Sequence, residues 1–239
     1  MISRIHCFTN AAYITGNAGR GFVVSRQEGL DFRMDEWGVD GAISGSQKGF
    51  MLPAGGAFVA FSQKAIKACD TARCPRAFLD LRDQLAANKD GYTPYTPSIP
   101  MLYGLRKSLD LLLEEGLENV YARHHRLAEG TRKAVAAWGL EQCAKPGFES
   151  NTVTAVVVPA DKDARAVIST AYSKYNLSLG AGLSEVAGKV FRIGHVGDMN
   201  DVSMLGAFAG VEMALLDNGF DIKPGSGVGV AVEYYRATA

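Results

Sequence analysis

Lys48 stands alone in the tight run Gly45-Ser46-Gln47-Lys48-Gly49, where small neighbours leave its amine room to meet a ligand. An amine on such a turn, beside a strand edge and against a bound ring, can have its pKa lowered enough to act as a nucleophile; the other reading is a solvated turn lysine. The run is not a nucleotide-phosphate loop, because it lacks the leading glycine and the Lys-Ser/Thr pair that opens a helix. A second candidate is Arg192, set between Phe191 and Ile193 in an apolar run. Strand alternation turns its side chain to the face opposite theirs, where a planar guanidinium can give two parallel hydrogen bonds to one carboxylate. The alternative is an edge-strand arginine in water. His195, adjacent to Gly194 and near Gly197, reads as a loop or packing histidine and receives no role.

The elements that must hold these residues alternate between strand and helix. Val39 to Ser44 and Gly56 to Phe61 read as strands, which puts Lys48 in the loop between them. Before them only Gly21 to Ser25 looks like a strand fragment. Helical patterning covers Gln63 to Cys69 and Phe78 to Asn88, and Gly91 to Ser98, with two prolines, is an extended loop. Ser98 is placed to cap a helix through Leu102, Leu105, Leu109, Leu112 and Leu113, and a second helix, Glu118 to Trp138, follows Gly116. Beyond Gly147 come a strand (Thr152 to Val158), a helix from an Asp161 cap to Tyr175, a turn at Leu179 to Leu183, a strand (Lys189 to His195) and a helix (Asn200 to Leu216). The expectation is an α/β chain with a boundary near Leu117 and a small α/β layer domain after it.

Composition narrows the function classes. The 239 residues carry 25 basic and 25 acidic side chains, with 47% hydrophobic and 21% charged, which suits one or two folded domains and argues against disorder, collagen or coiled coil. Zero net charge argues against a nucleic-acid partner, and the densest basic run, Arg123-His124-His125-Arg126, reads as a solvated helix face. No apolar stretch reaches the roughly 18 to 20 residues that a bilayer span requires, so no membrane association is expected. Cys7, Cys69, Cys74 and Cys143 form no CxxC pair and the histidines do not cluster, so neither a disulfide framework nor a metal site is expected, and a cytoplasmic setting suits the thiols. Residues 1–27, with three arginines and no acid, faintly resemble a transit peptide but lack an amphipathic repeat.

Several motifs in order carry a resemblance. Asp31-Phe32-Arg33-Met34-Asp35-Glu36-Trp37-Gly38-Val39-Asp40, followed by Ser44-Gly45-Ser46-Gln47-Lys48, resembles the cofactor-lysine segment of class V aminotransferases, most of all their serine–glyoxylate branch. The similarity continues through Pro94 to Ser98, Leu102 to Arg106, Glu114 to Asn119, Ser150 to Ala155 and Val190 to His195. It implies transamination dependent on pyridoxal 5′-phosphate, with the amino group of serine or alanine passing to glyoxylate to give glycine and a 2-oxo acid. Lys48 resembles the lysine that condenses with the cofactor and then carries the Cα proton. Gln47 resembles a cofactor-phosphate ligand, Tyr95 and Thr96 the loop that reaches the phosphate in the neighbouring subunit of a homodimer, and Arg192 the binder of the substrate carboxylate.

The implied fold is a partial fold type I aminotransferase. Residues 1–29 are unmatched, 30–117 correspond to a remnant of the large-domain sheet with the lysine, and 118–239 to a connector helix with a complete small α/β domain. Family members are longer, and their first half holds a glycine-rich phosphate loop, a ring-stacking group and several strands. They also place an aspartate, for the pyridinium nitrogen, where this sequence has Phe22 and its acid-free surroundings. Two alternatives stand beside the enzyme: an inactive truncated fragment that acts only through association with a partner chain, and, ranked last, a desulfurase-like lyase, for which Cys143 is poorly placed after a helix.

Overall fold

The computed structural model describes residues 31–239 together with the backbone of two strands, β1 (His6–Phe8) and β2 (Phe22–Ser25). The expectations for the rest of residues 1–30, the transit-peptide likeness among them, lie outside the described residues. The chain divides into two compact units, Met1–Leu117 and Glu118–Ala239.

The first unit is built on a four-stranded sheet in the order β1-β4-β3-β2, where β3 is Gly41–Gly45 and β4 is Ala57–Phe61. Strands β3 and β4 are antiparallel with Gly45 opposite Ala57, while β2 runs parallel to β3. Paired on both edges, β4 buries Phe58 and Val59 on opposite faces. Helices α1 (Gln63–Ala68), α2 (Leu81–Asn88) and α3 (Ile99–Glu115) follow. Helix α2 begins three residues later than its apolar pattern suggests, because the Asp80 carboxylate accepts from the Arg82 N–H at 3.0 Å and fixes the start there. Two arginines, Arg82 and Arg76, flank that carboxylate and hold it well below the usual carboxylate range. Ser98 occupies the N-cap position of α3, yet its side chain makes no cap bond.

The second unit is a two-layer α/β domain. Its sheet has the order β5-β6-β8-β7, antiparallel throughout, with β5 Glu141–Gln142, β6 Val153–Val157, β7 Gly180–Ala181 and β8 Val190–Gly194. Within the run Leu179–Leu183, read as a turn, Gly180 and Ala181 form a two-residue strand, since β8 offers them a free edge to pair with. Helices α4 (Leu117–Ala137), α5 (Ala164–Tyr175), α6 (Asp201–Asp217) and α7 (Ser226–Ala237) supply the other layer. Val156, Phe191 and Ile193 of the sheet pack with Leu127, Val167, Phe208, Val211 and Leu215 of the helices into one core.

Two local readings are corrected in this unit, and one helix is added. Helix α5 is capped by Asp163 and not Asp161, the Asp163 carboxylate accepting from the Arg165 N–H at 2.9 Å. The Arg123–Arg126 run is not a solvated face. His124 is buried, Arg123 donates to the Gly197 carbonyl at 2.7 Å, and Arg126 grips Asp201 with both terminal nitrogens, leaving only His125 of the four exposed. Helix α7, whose Gly227 and Gly229 hide the helical pattern, is secured by Glu212, whose carboxylate accepts from the Gly227 N–H at 2.6 Å.

Candidate active site

The loop 46–56 between β3 and β4 carries Lys48. The Lys48 N–H donates to the Gly45 carbonyl at 3.1 Å and the Met51 N–H to the Lys48 carbonyl at 2.9 Å, giving two consecutive tight turns. The Lys48 side chain is half-buried, and its ammonium has no hydrogen bond or ion pair among the described residues. An amine without a carboxylate partner is free to react once deprotonated. Gln47 is exposed, with its amide folded back over Gly45, where an added Cβ would stand 2.9 Å from Oε1. Glycine at 45 is what lets the amide lie there.

Tyr95 and Thr96 are both exposed on the Pro-flanked loop of the same unit. Tyr95 leans on Phe78 with ring centroids 4.6 Å apart, and its carbonyl accepts from the Thr93 hydroxyl at 2.6 Å. Neither side chain is bonded to the Lys48 loop among the described residues.

Arg192 belongs to the second unit, on β8. Because β8 lies between β6 and β7, it is an interior strand, which removes the edge-strand reading. Alternation holds: Phe191 and Ile193 are buried toward the helices while Arg192 turns to the other face and is half-buried. Its cross-strand neighbours are Ala155 and Gly180. A Cβ at 180 would approach the arginine Nε to 3.0 Å and its Cβ to 3.1 Å, so glycine there makes room for the side chain to lie across β7. The Nε is buried with no hydrogen-bond partner, and the guanidinium has no ion pair among the described residues. A buried, unspent donor on a planar fork is an incomplete arrangement that a carboxylate would complete.

His195 is fully buried beneath this strand end. Its Nδ1–H donates to the Asn151 carbonyl at 2.9 Å and its Nε2 accepts from the Thr154 hydroxyl at 3.0 Å, stitching β8 to the approach of β6. Burial, reinforced by Arg132 and His124 and opposed by the Asn151 carbonyl, pushes its pKa down to about 4, so at neutral pH it is a neutral packing group. His124 is similarly spent: Gly197 N–H donates to Nε2, leaving the proton on Nδ1 for the Val120 carbonyl. The sequence offered Leu179 to Leu183, with Gly180 in it, only as a turn, and Ser46 only as a small neighbour of Lys48; that Gly180 makes room for Arg192 follows from the pairing of β7 with β8, which no local pattern shows.

The architecture is that of the pyridoxal-phosphate-dependent aminotransferases, in part: the pyridoxamine–pyruvate aminotransferase of Mesorhizobium loti superposes with a TM-score of 0.85 at 30% identity, covering 91% of this chain and 57% of that one. Residues 24–196 match the family described as aminotransferase class-V, and the chain belongs to that family. It is 58% identical over 219 residues to a serine–glyoxylate aminotransferase of Methylorubrum extorquens, covering 89% of this chain and 54% of the relative. It is also 52% identical over 217 residues to an L-aspartate–glyoxylate aminotransferase of Paracoccus denitrificans, with 90% and 54% covered. The chain thus spans about half the length of the curated relatives it matches.

Proposed function

We propose that this chain carries out pyridoxal-phosphate-dependent amino transfer, with serine or alanine as donor and glyoxylate as acceptor, giving glycine and the donor's 2-oxo acid. The observation that supports it most is a pair of unspent cations, the free Lys48 ammonium and the Arg192 guanidinium with its buried, partnerless Nε, on the motifs that the resemblance assigns to cofactor and substrate. These residues fit the group: Lys48 offers the condensing amine, and Gln47, Tyr95 and Thr96 offer exposed amide and hydroxyl groups for a phosphate. When bound, the cofactor supplies a conjugated ring that accepts the electron pair left at the substrate Cα.

The chain's own residues do the rest. Arg192 takes the substrate carboxylate in its fork and so fixes the direction of the Cα–H bond. Lys48 Nζ accepts the Cα proton and holds it for return, so that amino group and hydrogen leave the donor together and reach glyoxylate with no net redox change. No carboxylate stands on β2, which reads Phe22-Val23-Val24-Ser25, to pair with a ring nitrogen. We assign Tyr95 and Thr96 to a neighbouring copy's phosphate in a homodimer, a role supported by their exposure and by α3, which leaves Ile99, Tyr103 and Leu113 open to solvent. The free Cys69, Cys74 and Cys143 are in keeping with a cytoplasmic setting.

Incubation with pyridoxal phosphate followed by borohydride is expected to leave a pyridoxyl mark on the Lys48 peptide, and serine plus glyoxylate to yield glycine. Lys48→Ala should abolish both. A folded wild-type chain left unmarked at Lys48 would overturn the enzyme reading and favour a chain that acts only through association, for which the same exposed α3 residues provide a surface.

A further inference from the structure

Helix α3 runs along the Lys48 loop as a rail. Met101, Gly104 and Ser108, at spacings of three and four, lie on one side of the helix. In that order they meet the loop from its end toward its tip. A Cβ on Gly56 would stand 3.4 Å from Met101 Cγ, a Cβ on Gly104 would stand 2.9 Å from Leu52 Cδ2, and the Ser108 hydroxyl donates to the Phe50 carbonyl at 2.5 Å. At its base the loop is closed by Ser46, fully buried, whose hydroxyl donates to the Pro53 carbonyl at 2.7 Å and accepts from the Gly56 N–H at 3.1 Å.

Between these two pins the backbone is strained. Met51, three residues after Lys48, has φ at +55°, a left-handed conformation in which the Cβ crowds the carbonyl oxygen. Such a conformation persists when its surroundings over-determine it. Here the Ser108 bond holds the preceding carbonyl, and the Leu52 N–H, donating to the Ser46 carbonyl at 3.0 Å, holds the following amide. A helical serine ordinarily returns its hydroxyl to its own helix four residues back, and Ser108, only 5% exposed, spends it on the loop instead.

We propose that Ser108 is a positioning residue for Lys48: from α3 it fixes the Phe50 carbonyl, thereby holding Met51 left-handed and the Lys48 peptide in one place before any cofactor arrives. This rests on Lys48 being the cofactor lysine. Without the bond, Met51 relaxes toward negative φ and the loop samples several shapes, so the amine meets the aldehyde in productive geometry less often.

The test uses the full chain and two readouts. Amide hydrogen exchange without cofactor reports the loop, and the rate of pyridoxyl marking at Lys48 reports the amine. Ser108→Ala is expected to speed Met51 and Leu52 amide exchange and slow Lys48 marking, each roughly tenfold, as for one lost buried hydrogen bond. Adding Met51→Gly, which removes the penalty at that φ, should return most of the exchange protection. Leu112→Ala, on the same helix without the loop contacts named above, controls for general weakening of α3 and should leave both rates close to wild type once matched for global stability. Unchanged Met51 exchange in a folded Ser108→Ala chain, or the same losses in Leu112→Ala, would overturn the proposal. A wild-type chain that protects the loop yet is never marked at Lys48 would instead overturn the cofactor assignment.

Discussion

The two units hold their candidate side chains by different means. Arg192 stands on an interior strand whose reverse face carries Phe191 into a core shared with Leu127, Val156, Phe208, Val211 and Leu215, all fully buried. Lys48 stands on a loop in a unit whose buried cluster is thin, Val59, Phe61 and Leu81 among the described residues, and is placed by hydroxyl bonds from Ser46 and Ser108. Deep apolar packing resists deformation from any direction, whereas a few directional bonds fix a loop only while each is intact. Damage inside the second unit should therefore unfold that unit as a whole, and damage in the first should loosen one loop.

Glu212 offers the strongest way to break that contrast. It is a buried carboxylate that accepts from Trp138 Nε1 at 2.9 Å and from the N–H groups of Gly225, Gly227 and Val228 at 2.7, 2.6 and 3.1 Å, so it caps α7 from another helix. Gly227 has no room for a Cβ beneath the Trp138 ring, which explains a glycine in the first turn of that helix. Glu212→Ala strands four donors and is expected to cost about 3 to 4 kcal/mol. Thermal unfolding and regional hydrogen exchange should show the loss across 118–239, with the Lys48 loop keeping its protection.

Acid probes the same unit more gently. His195 has a pKa near 4 in the folded chain against an ordinary 6.5, so between those values the unfolded chain binds a proton that the folded chain refuses. Its contribution is therefore complete above pH 6.5 and is lost progressively as pH falls toward 4, in total about 3 kcal/mol. A pH series of unfolding midpoints should fall over that window in the wild type and flatten in His195→Gln, which keeps a polar group between Asn151 and Thr154 without the titration.

How much of this was legible in the sequence follows the same division. Where a short-range rule decides the outcome it could be read: the loop position of Lys48 follows from two apolar runs, and the facing of Arg192 from strand alternation. Where a distant group decides, it could not. Helix α7 depends on Glu212, thirteen or more residues away, and its glycines mimic a loop. His124 and Arg126 look like a basic surface until β8 and α6 bring Gly197 and Asp201 to them. Asp161 and Asp163 are equivalent as cap candidates by type, and only the path of the chain selects the second. The Ser108 bond spans 58 residues, and no local pattern announces it.

Helix starts give the finest comparison. In α6 the Asn200 side chain accepts from the Ser203 N–H at 2.9 Å while the Ser203 hydroxyl accepts from the Asn200 N–H at 3.0 Å, a reciprocal box. In α3 Ser98 holds the equivalent position with no such bond, and Pro100 in the first turn already lacks an N–H that would need one. Asn200→Ala is expected to cost about 1 kcal/mol and Ser98→Ala less than about 0.5 kcal/mol, both measurable from denaturant midpoints with regional exchange to assign the unit. Equal costs would mean that the Ser98 hydroxyl closes onto the helix in solution. The first unit would then hold α3, and with it the rail under Lys48, more firmly than the bonds around the loop alone require.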